Sequence, residues 1–323
     1  MTTLSIPDAI AHVAALFTQA GVSPANARSV ATALVMAEAD GLKGHGLSRV
    51  PSYLAMARNG KIDGKAVPVA TQPRPGVLAI DARDGFAYPA IDLAIDRLPA
   101  VARAQGVAIA PISRSSHCGA AGLHVEKLAD AGLVALLFAN TPGAMAPWGG
   151  SRPVFGTNPI AFAAPLQGRE PVVIDMALSK VARGPIIAAR QKGESIPEGW
   201  ALDAGGKPTT DPAQALAGTM VPLGDAKGAT LAMMVEILAA ALVGANFAFE
   251  ASSFMDDKGG PSRTGQLILA IDPVAMGGDG FAARMVALAA AIERQPGTRL
   301  PGSRRALLRM KSENDGMKMP EFD

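Results

Sequence analysis

Apolar side chains recur every three to four positions from residue 6 to 39, the repeat of one face of an α-helix. Ile10, Val13, Ala14 and Phe17 mark a first amphipathic helix, and Ala27, Val30, Ala31 and Leu34 mark a second that opens after Ser23-Pro24, with Gly21 between them. A short helix is predicted over 49–59, and Gly60 to Gly64 and the proline-rich stretch 68–76 read as a connector. From Val77 the pattern shortens. Apolar runs at 77–81, 107–110, 133–138, 160–163, 172–175 and 266–272 predict strands, and helical spacing returns at 88–105, 119–132, 212–217, 226–246 and 280–294. This alternation predicts an α/β layer structure in the middle of the chain. The expected organisation is a helical lobe over 1–75, a central α/β domain over 76–280, and a C-terminal helix and tail over 281–323 that packs against the first lobe.

Composition narrows the class. Of the 323 residues only 18% are charged, with a net charge of +2, so there is no basic field and no nucleic-acid partner is expected. A single cysteine, Cys118, rules out an internal disulfide framework and suggests a reducing compartment. The first residues lack the basic and apolar regions of a secretory signal, so the expected location is the cytoplasm. The apolar stretch 229–249 is long enough to span a bilayer, but it carries Glu236 and Asn246, is rich in alanine and has no companion. A buried helix is expected there, and no membrane contact. High alanine and glycine with 4% aromatics favour closely packed helices and a homo-oligomer.

The candidate chemistry centres on the segment from Asp40 to Tyr53, where His45 lies between Gly44 and Gly46 and Arg49 follows four positions later. An imidazole titrates near neutrality and Arg49 could hold a carboxylate, although a loop histidine beside a surface arginine fits the spacing equally well. Neither a Rossmann glycine fingerprint nor a Walker loop is present, and no Gly-x-Ser-x-Gly elbow. The glycine-rich segments are instead 115–122, which could aim backbone N–H groups at an anion beside His117 or form an ordinary turn, then 140–150 and 156–159. Thr141, Thr157 and Asn158 sit in turns after apolar runs, and Asp175, Ser179 and Arg183 lie near a strand's carboxyl end, where α/β sheets bind ligands. Arg299, Arg304 and Arg305 around Pro301-Gly302, and Lys227 before the alanine-rich helix, read either as anion sites or as solvated charges. His12 is expected to be structural and His124 to lie on a helix surface or an interface. No histidine, cysteine and carboxylate cluster has metal-ligand spacing, so no metal is expected. Cys118 next to His117 makes no dyad, because adjacent side chains on an extended strand point apart.

Taken together, Gly44-His-Gly-Leu-Ser-Arg-Val-Pro-Ser-Tyr53, Ser116-His-Cys-Gly-Ala-Ala-Gly122, Ala144-Met-Ala-Pro-Trp-Gly-Gly150, Gly156-Thr-Asn-Pro159, Asp175-Met-Ala177, Pro197-Glu-Gly-Trp200 and Arg299-Leu-Pro-Gly302 resemble the second type of malate/L-lactate dehydrogenase, over nearly the whole chain. The resemblance implies an α/β (α+β) fold on a family-specific mixed β-sheet, not a Rossmann domain, in a homodimer whose active site lies near the interface. It implies a nicotinamide-dependent oxidoreductase acting on a small imino or 2-oxo acid. His45 would be the general acid, Arg49 the carboxylate clamp and His117 a neighbour of the reacting centre, with Tyr53, Arg183 and Gly184 on the substrate side. Coenzyme contacts would fall on His45, Gly119, Asn140, Thr141 and Thr157, on Asp175, Met176 and Ala177, on Lys227, and on Arg299, Pro301, Gly302, Arg304 and Arg305. An arginine cluster there would suit the 2'-phosphate of NADPH, with NADH as the other possibility.

The sequence departs from the family pattern at two places. Relatives carry serine before the histidine and an aspartate in a later segment, which form a proton relay; here those positions hold Gly44 and Pro185. A ketone needs a proton at oxygen as it is reduced, whereas a cyclic imine is basic enough to arrive protonated. The leading expectation is therefore reduction of Δ1-pyrroline-2-carboxylate and Δ1-piperideine-2-carboxylate to L-proline and L-pipecolate. The alternatives are a 2-hydroxy acid dehydrogenase for malate, lactate, sulfolactate or ureidoglycolate, a reductase of the pyrroline isomer with its imine at C5, and a binding protein that has lost the chemistry.

Overall fold

The computed structural model describes residues 2–322. After the two-residue strand β1 (Thr3–Leu4), the chain forms α1 (Ile6–Gln19) and α2 (Pro24–Ala39). Ser5 caps α1 by accepting from the backbone N–H of Asp8, and proline occupies the first turn of each helix, where its missing N–H costs nothing. Two 3-10 turns, Lys43–His45 and Leu47–Arg49, lead into α3 (Val50–Arg58).

Next come β2 (Val69–Arg74), β3 (Val77–Asp81), α4 (Ala87–Gln105), β4 (Val107–Ser115), α5 (Ala121–Asp130), β5 (Val134–Ala139), β6 (Ile160–Leu166) and β7 (Arg169–Met176). A smaller layer holds α6 (Arg183–Lys192), β8 (Ala201–Leu202), β9 (Pro208–Thr209), α7 (Pro212–Ala217), β10 (Thr219–Met220) and α8 (Ala226–Glu236). β11 (Thr264–Ile271) returns to the main sheet, followed by α9 (Pro273–Gly277), α10 (Gly280–Glu293), α11 (Ser303–Asp315) and β12 (Met317–Lys318).

The main sheet has seven strands in the order β2-β3-β4-β11-β5-β6-β7. Only β3 and β4 run parallel, joined by the crossover helix α4; every other neighbour is antiparallel. The sheet is thus mixed, and α4 and α5 bury its alanine-rich strands in one core with Ile91, Leu98, Ile112, Leu128 and Leu137. A second core joins α1, α2 and α3 to Tyr53, Phe86 and Tyr88, and the C-terminal Met317 and Met319 complete it as β12 pairs with β1. A third, from Ala144 to Ala239, underlies the smaller layer.

Three expectations change. The connector at 68–76 contains β2, and Pro73 is tolerated because β2 is an edge strand with a bulge between Thr71 and Arg74. The helix expected over 226–246 stops being α-helical at Glu236, continues as a π-helical turn over Ile237–Ala241 and ends before Gly244 at φ +71°. No helix among the described residues is long and apolar enough to cross a membrane. The basic stretch 299–305 is not a loose tail: Gly302, at φ +90°, turns the chain into α11.

α11 is fastened by charge. Arg305 Nε donates to Asp40 Oδ2 at 2.9 Å and its Nη2 to Glu126 Oε2 at 2.7 Å, while Arg309 donates to both Asp40 oxygens at 2.8 and 2.9 Å and to Glu126 at 2.8 Å. The Asp40 side chain has no exposure at all, so its charge is stable there only because two guanidiniums grip it. Arg309→Met is expected to lower stability by about 2 kcal/mol, less than for a fully buried pair because Arg305 remains. Chemical denaturation checks this; an unchanged midpoint would show that the cluster is not a fastening.

Candidate active site

The loop after α2 places His45. Gly46 is pressed against Glu38, and any side chain there would strike the Glu38 backbone and carboxylate; the same carboxylate accepts the N–H of Leu47 at 3.0 Å. The 3-10 turns then aim His45 and Arg49 toward the sheet. Arg49 Nε donates to the carbonyl of Gly44 at 2.8 Å, and its Nη1 lies 3.1 Å from Met255 Sδ. Gly44 itself has open space where a side chain would project, and its φ is ordinary.

His117, just beyond β4, stacks on His45 with ring centroids 5.6 Å apart and planes 29° apart. Its Nδ1 meets the hydroxyl of Tyr53 at 2.5 Å, and that hydroxyl meets the hydroxyl of Tyr88 at 3.2 Å. Both tyrosines are buried. Phe254 closes the far side of His117, 5.0 Å between ring centres. Burial, with Arg49 adding its repulsion, depresses His45 to about 4, and the same two causes push His117 well below its ordinary value. Two neutral imidazoles therefore flank a guanidinium.

From this end a cleft of about 570 Å³ runs past Gly119, Thr141, Thr157 and Ala177 to Asp175, Gly302 and Arg305. Its floor rests on Glu236. That carboxylate accepts from Asn140 Nδ2 at 3.1 Å, Asn158 Nδ2 at 2.7 Å and the Ala248 N–H at 2.7 Å; Asn158 Oδ1 in turn receives the Thr141 N–H at 3.3 Å, and Thr141 Oγ1 receives the Thr157 N–H at 2.9 Å. Burial raises the Glu236 carboxyl and these three donors oppose the rise. At the other end Asp175 accepts the Gly122 N–H at 2.7 Å, and burial raises its carboxyl against the pull of that N–H and of Arg305. A side chain at Gly122 would meet both Asp175 and Arg305, so glycine is what lets them approach. Arg305 Nη1 is buried with no partner, a free donor beside the cleft.

The structure thus gathers His45, His117, Gly119, Asn140, Thr141, Thr157, Asp175, Ala177, Pro301, Gly302 and Arg305 around one cleft, with Arg49 close to its two histidines. Others lie elsewhere. Lys227 opens α8 as an exposed residue, Arg299 and Arg304 are exposed, and Met176 is 40% exposed at the end of β7. Arg183 Nη2 donates to the Leu216 carbonyl at 3.3 Å, and Gly184 and Pro185 are exposed in the first turn of α6. Asn140 lines the cleft with its side chain fully engaged by Glu236, Asn246 and Gly265, while Tyr53 reaches the cleft only through His117. His124, expected on a surface or an interface, is buried, with Nε2 donating to the Cys118 carbonyl at 2.8 Å. Cys118 is also buried, its thiol pushed up to about 12. Among the described residues no cluster could hold a metal ion. Sequence reasoning overlooked Glu236 as a support for the floor; its signal was a lone acid in an apolar helix.

Residues 4–322 match the family model described as malate/L-lactate dehydrogenase. The chain is 49% identical over 318 residues to the (2R)-3-sulfolactate dehydrogenase (NADP(+)) of Chromohalobacter salexigens, covering 98% of this chain and 95% of that one. It is 41% identical to the Delta(1)-pyrroline-2-carboxylate/Delta(1)-piperideine-2-carboxylate reductase of Pseudomonas putida, covering 95% and 90%. Among solved structures, the delta1-piperideine-2-carboxylate reductase of Pseudomonas syringae superposes with a TM-score of 0.94 at 40% identity, covering 99% and 97%.

The buried histidines make stability depend on pH. Burial depresses His45 and His124 to about 4, and His117 is depressed as well, while the unfolded chain protonates near 6.5. Between those values the unfolded state binds more protons, so stability is full above about pH 6.5 and falls as pH drops toward 4, by about 1.4 kcal/mol per pH unit for each histidine. His124→Gln should flatten this dependence by one proton, measured by denaturation at pH 7 and pH 5; an identical slope would place that histidine's titration outside the window.

Proposed function

Because the chain belongs to the malate/L-lactate dehydrogenase family, we propose that it is an NADPH-dependent reductase of cyclic imino acids, Δ1-pyrroline-2-carboxylate and Δ1-piperideine-2-carboxylate. The observation that carries this reading is the makeup of the histidine end of the cleft. Arg49 is the cation both histidines feel, the histidines are neutral, and Phe254 and Met255 supply apolar walls. One guanidinium suits one carboxylate, and the walls suit the methylenes of a ring. A histidine depressed to about 4 is almost wholly unprotonated at pH 7, and Gly44 offers it no relay, so a substrate that arrives as an iminium fits better than a ketone that must draw a proton from the protein.

The residues present suit a nicotinamide coenzyme. The unpartnered Nη1 of Arg305 would receive the 2'-phosphate of NADPH, Asp175 and Gly302 would border the same end, and Thr141 and Thr157 would line the path toward the histidines. When bound, the reduced coenzyme supplies the hydride that the imine carbon accepts. Arg49 fixes the carboxylate so that this carbon faces one direction, and orientation supplies much of the rate. His45 and His117 would border the nitrogen, where a neutral imidazole accepts a hydrogen bond from the iminium N–H. A homodimer is proposed, since Met233, Met234, Ile237 and Leu242 leave apolar surface exposed along α8 and the turn after it.

A second reading is favoured by the 49% identical relative: reduction of a 3-sulfonated 2-oxo acid, the reverse of the reaction in that protein's name. Such a substrate carries two anions and calls for a second cation beside Arg49. Following NADPH and NADH oxidation with both cyclic imines, 3-sulfopyruvate, pyruvate and oxaloacetate separates the readings. Turnover of the imines is expected; turnover of the oxo acids alone would overturn the proposal, and inertness toward all of them would point to a binding protein. Arg49→Met is expected to raise the KM for the imine by about 100-fold, and an unchanged KM would remove Arg49 from the carboxylate site. Arg305→Met is expected to raise the KM for NADPH about tenfold more than that for NADH, on top of a loss common to both from its broken pairs with Asp40 and Glu126, and equal effects on the two coenzymes would place the 2'-phosphate elsewhere.

A further inference from the structure

Lys61 follows the end of α3, and its side chain is 2% exposed. Its ammonium donates to three backbone carbonyls of a single loop: Ser253 at 2.8 Å, Asp256 at 2.9 Å and Lys258 at 2.6 Å. An ammonium has three protons, and here each finds an acceptor, while the Asp256 carboxylate stands 3.9 Å away. Beside it, Asn59 Nδ2 donates to the carbonyl of Asp257 at 2.6 Å, and its Oδ1 receives the N–H of Lys61 at 3.1 Å. The loop they hold is otherwise exposed from Met255 to Gly260.

What the loop carries explains why it is held. Phe254 lines the cleft against His117, and Met255 lies on the guanidinium of Arg49. Arg49 stands at the start of α3, and Asn59 and Lys61 stand past its end, so the loop is attached at both ends of that nine-residue helix. We propose that Lys61 is a positioning residue for the substrate pocket: its ammonium gathers the three carbonyls into a tight turn and thereby sets Phe254 and Met255 as the wall against which the substrate's hydrocarbon part packs. Lys61 touches no reacting atom. It acts through the loop, in the way a bound cation organises a carbonyl-lined turn, and burial without these partners would cost several times what a neutral side chain costs.

The inference rests on the histidine end of the cleft being the substrate site, not on which acid binds there. Lys61→Met keeps the length of the side chain and removes its charge, leaving three carbonyls without a donor. Two readouts separate the proposal from a general loss of structure. Trypsin cleavage after Lys258, whose carbonyl is held in the native protein, should speed up by about tenfold or more in the variant, with or without any substrate. In the best-turned-over acid the variant should raise KM by about tenfold with a smaller change in kcat and an unchanged dissociation constant for NADPH, read by fluorescence.

Phe254→Ala, which removes part of the wall and leaves Lys61 in place, should raise the same KM. The double variant should then be no worse than the more impaired single one, because both act through one wall. Unchanged cleavage in Lys61→Met, additive effects in the double variant, or a parallel loss of NADPH binding would each overturn the proposal. If no acid is turned over by the parent enzyme, the functional reading fails while the cleavage experiment still decides the role of Lys61.

Discussion

A buried carboxylate, that of Asp40, is the constraint on which the rest of the molecule leans. It lies at the end of α2, where the chain leaves the helical lobe for the histidine loop, and it has no water to solvate it. Its charge is held by Arg305 and Arg309 from α11, which share Glu126 of α5 as a second anion. Three distant parts of the chain are thereby locked in one arrangement: the root of the histidine loop, α5 and the C-terminal helix. The same geometry leaves one guanidinium nitrogen of Arg305 unused beside the cleft, so a residue that fastens the fold also presents a donor to a ligand.

The interior of the cleft follows a related logic. Glu236 and Lys61 are given enough hydrogen bonds to sit where water is scarce, and the histidines are kept neutral. Glu236 has three donors, Lys61 has three acceptors, and the two stacked imidazoles lose their protons to burial. This leaves Arg49 as the positive charge facing the histidines. In a medium that screens weakly, one unneutralised guanidinium attracts an anion far more strongly than it would at the surface.

Much of this was legible in the sequence because it is local. Helical spacing located α1, α2, α4 and α5, apolar runs located the central strands, and the glycine-framed His45 and the segment after β4 marked the two histidines that meet. The mixed sheet and the gathering of residues 45, 117, 157, 175 and 305 came from likeness to a family, not from periodicity. What remained hidden is long-range. Nothing in the run 299–305 says that Arg305 will find Asp40, 265 positions earlier, and a basic segment with no partner in view reads equally as an anion site or as solvated charge. Pro73 disguised an edge strand, since its missing N–H matters only if the neighbour on that side exists. Lys61 lies in a stretch that reads only as a connector, because the carbonyls that swallow its charge belong to a loop nearly 200 positions later.

The pairing of β1 with β12 has a consequence for how the molecule comes into being. Thr3 lies opposite Lys318, and Met317 and Met319 complete the core that α1 and α2 begin. During synthesis the first lobe leaves the ribosome with one side of its core bare and with Asp40 ungripped, and it stays so until Arg305, Arg309, Met317 and Met319 emerge. Closing a loop of this length is slow relative to local helix formation. The histidine loop is therefore made well before the helix that supports it, so a nascent chain carries the residues of the candidate site long before they are held in place.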